Sequence, residues 1–185
     1  MKIKLVLFYF LANMIAGMEI QISIDKQELK VVHNEKIVKT YIISSSSYGE
    51  GSAEGSFKTP LGEHFIKKKI GDGVELGGRF EGRVFYGEIY PIYKKDEVYV
   101  DDDVVQTRIL WLSGSEEGKN KGKGVDSFER YIYIHGTPDT EPMGIPMSHG
   151  CIRMKNDEII ELFDLISEDA LVYISEHSLE NEVLK

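Results

Sequence analysis

The chain has 185 residues, 42% of them hydrophobic and 29% charged, and a net charge of −9. That length suits a single domain able to bury about 70% of its unfolded surface, and the composition is globular rather than disordered. The acidic balance argues against a nucleic-acid binder, which needs a basic face against phosphates. The single cysteine leaves no intramolecular disulfide, so stability must come from the core.

The chain opens on the basic stretch MKIK, and about a dozen apolar residues follow, broken only by Asn13. A run that short suits the core of a secretory signal better than a membrane span, which needs about 20 residues. Residues 1–17 are therefore expected to be a signal peptide or N-terminal hydrophobic segment, with Ala16 and Gly17 as a poor cleavage point. Export to the periplasm or cell envelope follows. The competing readings are a buried first strand, or a start at Met18 and a cytoplasmic protein. Residues 18–176 are expected to form one domain, and residues 177–185 a polar tail.

From Ile20 to Ile43 apolar and polar residues alternate with period two, which predicts half-buried strands with a hairpin turn at His33–Lys36. Residues 44–58 are small and polar and read as a surface loop. Pro60 and Gly62 mark a turn into another strand. Residues 71–87, rich in glycine, predict a long loop or irregular hairpin. Residues 104–112 are strongly β-prone and carry Trp111, expected in the core or lining a cleft. Residues 113–127 read as a second mobile loop, with Lys119, Lys121 and Lys123 solvated and available as a flap. Residues 130–135 predict a strand with His135 at its C-terminal end. One helix follows, capped at Asn156–Asp157, with Ile159, Ile160, Leu162, Phe163 and Ile166 as its apolar stripe. Residues 170–175 predict a last core strand. His33 and His64 read as plain surface or packing residues.

The chemistry concentrates in YIHGTPDTEPMGIPMSHGCIRM, Tyr133 to Met154. A cysteine attacks as thiolate, and a free thiol near pKa 8.5 is only a few per cent ionised at neutral pH, so it needs a base. Two imidazoles are candidates, His149 two residues before Cys151 and His135 sixteen residues upstream. Gly150 is expected to bend the chain and turn backbone N–H groups towards the thiol as an oxyanion hole. The helix that follows could add its positive end. The competing readings are a small buried cysteine among structural histidines, or zinc held by His135, His149 and Cys151. The second lacks a further cysteine, an HExxH run or other paired-ligand spacing. GDGVELGG fits no phosphate-binding loop.

HGTPDTEPMGIPMSHGCIRM resembles the signature of the L,D-transpeptidase (YkuD-type) catalytic domain. IDKQELKVVHNEKIVKTYIISS is similar to that family's opening hairpins and KTPLGEHFIKKKIG to its Thr-Pro-x-Gly turn. TRILWLSG and RYIYIHGTPD resemble its bacterial envelope branch. The resemblance implies a mostly β fold with minor α, a mixed β-sandwich with one helix following the nucleophile, over residues 18–176. It implies Cys151 as nucleophile, His135 as its base and Gly136 as the carbonyl that orients the imidazole. Ser148 and His149 match supporting positions, Gly150 and Cys151 would supply oxyanion N–H groups, and Arg153 would bind a substrate carboxylate unless it serves a structural ion pair. One common form of the motif has asparagine at the position of Arg153.

The implied activity is peptidoglycan cross-linking. Cys151 would attack a stem tetrapeptide at its third residue and expel the terminal D-alanine. The acyl group would then pass to an amine, with no metal or organic cofactor. Stem peptides are the implied partners, carbapenem-type β-lactams the implied inhibitors, and nucleic acid is not a partner. If water replaces the amine, the protein is an L,D-carboxypeptidase or hydrolase. A non-catalytic wall-binding module is the third reading. The acceptor site is expected in loops 71–91 and 113–127.

Overall fold

Alternation from Met18 onward builds β1 (Met18–Ser23), β2 (Glu28–His33) and β3 (Lys36–Ile42), and the inward set Ile20, Ile22, Leu29 and Val31 is fully buried. The predicted turn lies between β2 and β3. Asn34 and Glu35 take φ of 49° and 63° there, the two-residue turn whose twist matches that of the flanking strands. The computed structural model describes residues 17–90, 103–138 and 142–178. The predicted signal segment, except Gly17, and the tail beyond Ser178 lie outside the described residues, as does residue 91 of the first candidate acceptor loop.

The remaining strands are β4 (Gly62–Ile70), β5 (Gly78–Glu81), β6 (Val84–Ile89), β7 (Gln106–Gly114), β8 (Tyr133–Thr137), β9 (Ile152–Lys155) and β10 (Leu171–Ser175). The one helix among the described residues, α1 (Asn156–Leu165), follows Cys151 as expected. Hydrogen bonding runs β3-β2-β1-β10-β4-β7-β5-β6, and β8 and β9 branch off β7. β1 pairs parallel with β10 and β8 parallel with β9, so the sheet is mixed. Just after β3, Ser44 bridges back to Arg153 of β9, so the sheet curls round until its β3 end meets the β9 branch. The two layers of the expected sandwich are thus one branched, folded sheet.

Inside that curl lies the main core, where β1, β2 and β10 meet Leu110, Leu112, Ile134, Ile152, Met154 and the helix residues Ile159, Leu162 and Phe163. Each such side chain contributes roughly 1.5–3 kcal/mol on burial. Lys69 of β4 closes the C-terminal end of α1. Its Nζ donates to the Phe163 and Ile166 carbonyls at 2.6 Å each, where α1 has no basic residue of its own. The irregular hairpin expected at 71–87 is β5 and β6, with a register break between Gly78 and Phe80.

Three expectations are corrected, and a fourth reading is narrowed. Ser44, Ser45 and Ser46 are buried rather than on the surface, because small hydroxyls permit close backbone approach and find partners, as Ser44 Oγ does at the Ile145 carbonyl. Loop 113–127 is tied down. The buried Asn120 amide donates to the Leu61 and Glu63 carbonyls at 3.1 and 2.9 Å and its oxygen accepts the Glu116 N–H, while Lys119 pairs with Glu116. Asn156 is no cap: Lys155 takes that place without a side-chain bond, and Asn156 turns into the core as the first helical residue. Of the surface and packing readings of His64, the structure shows packing: it is buried, with Nδ1 donating to the Gly62 carbonyl at 3.0 Å and Nε2 accepting from Ser127 Oγ at 2.9 Å.

Burial pushes the His64 pKa down to about 4. The unfolded chain binds a proton near pH 6.5 that the folded protein refuses until about pH 4, so stability falls as pH drops through that window. His64 is expected to account for about 3 kcal/mol of loss by pH 4, at about 1.36 kcal/mol per pH unit. Denaturant titrations at pH 7 and pH 4.5 should show a smaller difference for His64→Gln than for the wild type, and an equal difference would rule this origin out.

Candidate active site

Strands β7, β8 and β9 each turn one face to the main core and the other to a cleft. Leu110, Ile134, Ile152 and Met154 point to the core, which leaves the alternating set on the cleft side. In register, His135 lies between Ile109 on β7 and Arg153 on β9, and Tyr133 lies opposite Trp111. Cys151, two residues before Arg153, therefore shares their face. It packs against a second apolar cluster of Phe80, Ile109, Trp111 and Tyr133, with Phe128 stacked on Trp111 at 3.9 Å between ring centroids. With strands ~4.8 Å apart and ~6.7 Å between same-face residues, His135 and Cys151 are diagonal neighbours at roughly 8 Å between Cα atoms. His135 stands mid-strand rather than at the strand end, because pairing with β9 extends β8 to Thr137.

His135 is fully buried, and its Nδ1 donates to the Gly136 carbonyl at 2.8 Å. That bond leaves Nε2 as the lone-pair nitrogen, and Nε2 has no hydrogen-bond partner among the described residues. The Gly136 backbone is held from behind. Asn156 Nδ2 donates to the Thr137 carbonyl and to Gln106 Oε1, both at 2.9 Å, and Thr107 Oγ1 donates to Asn156 Oδ1 at 2.6 Å. A Cβ on Gly136 would sit 2.4 Å from Asn156 Oδ1 and 2.7 Å from the Gln106 carbonyl, so only glycine fits.

The Cys151 thiol donates to the Tyr131 carbonyl and accepts the Tyr133 N–H, both at 3.4 Å. Burial pushes its pKa up to about 12, with the Asp103 carboxylate adding to the rise. Burial also lowers His135 below the usual imidazole value. At neutral pH the two rest as thiol and neutral imidazole. Gly150 takes φ of 123° and makes the expected bend. Ser148 Oγ donates to the Cys151 carbonyl at 2.5 Å and accepts the Gly150 N–H at 3.2 Å, and Thr59 Oγ1 donates to the Gly150 carbonyl at 3.1 Å. The Gly150 N–H is therefore occupied, so of the two expected oxyanion donors only that of Cys151 is left. The dipole of α1 does not reach the thiol, since β9 intervenes over roughly 13 Å and the effect fades within a turn.

Asp103 is the residue that sequence reasoning misses; its only signal is the acidic run Asp101–Asp103 before β7. Arg153 Nε and Nη2 both lie 2.8 Å from its Oδ1, and the His149 N–H and Nδ1 lie 3.0 and 3.1 Å from its Oδ2. Burial would raise the Asp103 carboxyl, but its electrostatic coupling to His135, the Arg153 guanidinium and the His149 N–H hold it below the usual range. Arg153, 4% exposed, is thus engaged in an internal ion pair rather than presented as a carboxylate clamp. His149 stands half exposed at the rim with Phe57 and Tyr48 against its ring.

The fold and this Cys–His face define a class. The profile of the YkuD family, the L,D-transpeptidase catalytic domain, matches residues 17–174. The chain belongs to that family. A segment of 54 residues, 29% of the chain, is 44% identical to YqjB of Bacillus subtilis (strain 168), itself only provisionally named an L,D-transpeptidase, and covers 30% of that protein. L,D-transpeptidase 3 from Mycobacterium tuberculosis, solved with a faropenem-derived adduct, superposes with a TM-score of 0.52 at 14% identity, over 86% of this chain and 60% of that one. A cysteine-to-serine mutant of the Enterococcus faecium L,D-transpeptidase gives 0.51 at 16% identity, over 87% and 50%. At these identities the likeness to solved structures is one of fold.

A thiol that rests protonated makes a clear kinetic prediction. Alkylation of Cys151 by iodoacetamide at pH 8 should run more than about 10-fold slower than that of a free cysteine, and climb without a plateau to pH 10. Asp103→Asn removes the negative charge beside the sulfur and should speed it. An inflection below pH 8 in the wild type would mean that a thiolate is already formed.

Proposed function

We propose that the protein is a cysteine acyltransferase that cross-links peptidoglycan stem peptides. The observation that carries this reading is His135 Nε2, a buried lone pair without a partner among the described residues, on the strand face that also holds Cys151. A buried acceptor left unpaired costs about 1–3 kcal/mol, and it persists where function needs it.

The reaction balances with these groups alone. Cys151 Sγ attacks the carbonyl carbon of the third stem residue while its proton passes to His135 Nε2, so no preformed thiolate is needed. The developing oxyanion takes a hydrogen bond from the Cys151 N–H. Collapse breaks the C–N bond, and the imidazolium returns the proton to the departing D-alanine amine, leaving a thioester. An acceptor amine then attacks the thioester, gives a proton to His135, and the thiol is restored as the cross-link forms. Gly136 and Asn156 hold the imidazole at the right tilt throughout, and Ser148 and Thr59 shape the turn that carries the thiol. Water in place of the amine yields the tripeptide, and the protein is then an L,D-carboxypeptidase. The basic and apolar start of the sequence fits export to the envelope, where such a substrate lies.

Tetrapeptide muropeptides incubated with the protein and read by mass should give cross-linked dimers and released D-alanine. Tripeptide alone would move the assignment to hydrolysis, and no Cys151-dependent change would leave only binding. Cys151→Ala and His135→Ala should each lower turnover by about 10³-fold or more while keeping the fold, by analogy with other nucleophile–base pairs. Full activity in either variant removes the proposal. The β-lactam adduct on the Mycobacterium tuberculosis relative motivates a further test. A carbapenem should add its mass to the wild type and not to Cys151→Ala.

A further inference from the structure

We propose that Arg83, at the tip of the β5–β6 hairpin, binds the C-terminal carboxylate of the donor peptide and thereby sets which bond Cys151 attacks. The inference rests on the donor chemistry proposed above. Glu81 pairs with Val84, so Gly82 and Arg83 are the two central residues of a tight turn, with φ of 53° and 71°. Such turns favour glycine at the second position, where a long side chain is sterically disfavoured. An arginine there runs against local preference.

Its guanidinium is laid onto the wall of the active site. The Arg83 Cζ lies 4.5 Å from the Tyr131 ring centroid and 4.8 Å from that of Trp111, and Nη1 donates to Tyr133 Oη at 3.1 Å. Tyr131 and Tyr133 are the two residues whose main chain touches the Cys151 sulfur. Arg83 therefore stands about one tyrosine side chain from the thiol, on a side of the cleft where Tyr131 is 50% exposed. In a donor that loses its last residue, the terminal carboxylate lies one residue past the attacked carbonyl, about 3.8 Å of chain.

The other guanidinium groups near the thiol are committed. Asp103 occupies Arg153. Arg130 gives Nη1 and Nη2 to the Gly51 and Lys58 carbonyls at 3.3 and 2.7 Å. Arg83 gives Nη1 to Tyr133, while Nε and Nη2 carry no hydrogen bond to any described residue, and this pair presents the planar fork that suits a carboxylate. Arg83 is in this view a specificity residue, and the aromatic contacts serve to aim it.

The test measures binding, so it does not depend on turnover. In a Cys151→Ala background, calorimetry compares the tetrapeptide with a free C-terminal acid against the same peptide as C-terminal amide. The acid should bind at least about tenfold tighter, as a charge-assisted pair implies. Adding Arg83→Gly places the residue that the turn prefers, so the thermal midpoint should hold or rise. The acid should then fall to the affinity of the amide, while Arg83→Lys should keep part of the preference. Equal binding of acid and amide in the Arg83 protein, or a preference that survives Arg83→Gly, overturns the proposal. Turnover of the same peptides by the protein with Cys151 intact judges the cross-linking reading separately.

Discussion

β8 and β9 run side by side in the same direction with Ile134 opposite Ile152, and the site depends on that register. Side chains alternate across a strand, so sending Ile134, Ile152 and Met154 into the main core obliges His135, Cys151 and Arg153 to face the cleft. A slip of β9 by one residue would turn Cys151 inward and expose Ile152 and Met154. The register is pinned at both ends. Asn156 holds the Gly136–Thr137 backbone against β7 at one end, and Ser148 and Thr59 hold the turn before β9 at the other. The parallel crossing is also the reason that sixteen residues can separate His135 from Cys151 in the chain and still leave them neighbours.

Electrostatics then decide the resting state. The cleft half-buries the Cys151 thiol and fully buries the His135 imidazole, and desolvation disfavours the charged form of each, so the pair rests neutral. Asp103 reinforces this for the thiol and answers the charge of Arg153 behind it. In a chain with net charge −9, long-range attraction for an anionic ligand is absent, so a bound carboxylate would have to be held by guanidinium groups placed one by one. The loop that seemed free to act as a flap, 113–127, is tied by Asn120 to the start of β4, whereas the β5–β6 hairpin leans directly over Trp111 and Tyr131.

Much was readable before any coordinates. Period-two alternation places the hairpin at Asn34–Glu35, the apolar stripe marks α1, and the Ser-His-Gly-Cys turn with His135 upstream marks the chemistry. The misreadings share a cause. Ser44–Ser46, Asn120 and Asn156 are polar, and polarity in sequence reads as surface, loop or cap. Each is instead buried beside partners distant in the chain, Ser44 to Met147, 103 residues away, and Ser45 to Gln27, 18 away, among them. Periodicity carries no information about such partners.

By itself, then, the sequence determined the strands, the helix and the candidate pair of Cys151 and His135, because these rest on local alternation, turn residues and a compact motif. Tertiary structure alone decided which groups remain free to act on a substrate. Asp103 closes Arg153, Ser148 takes the Gly150 N–H, and a turn that glycine would suit better swings Arg83 onto the tyrosines flanking Cys151. These outcomes depend on charges and hydrogen-bond donors meeting across the fold, at distances of about 3 Å set by packing and not by neighbours in the chain.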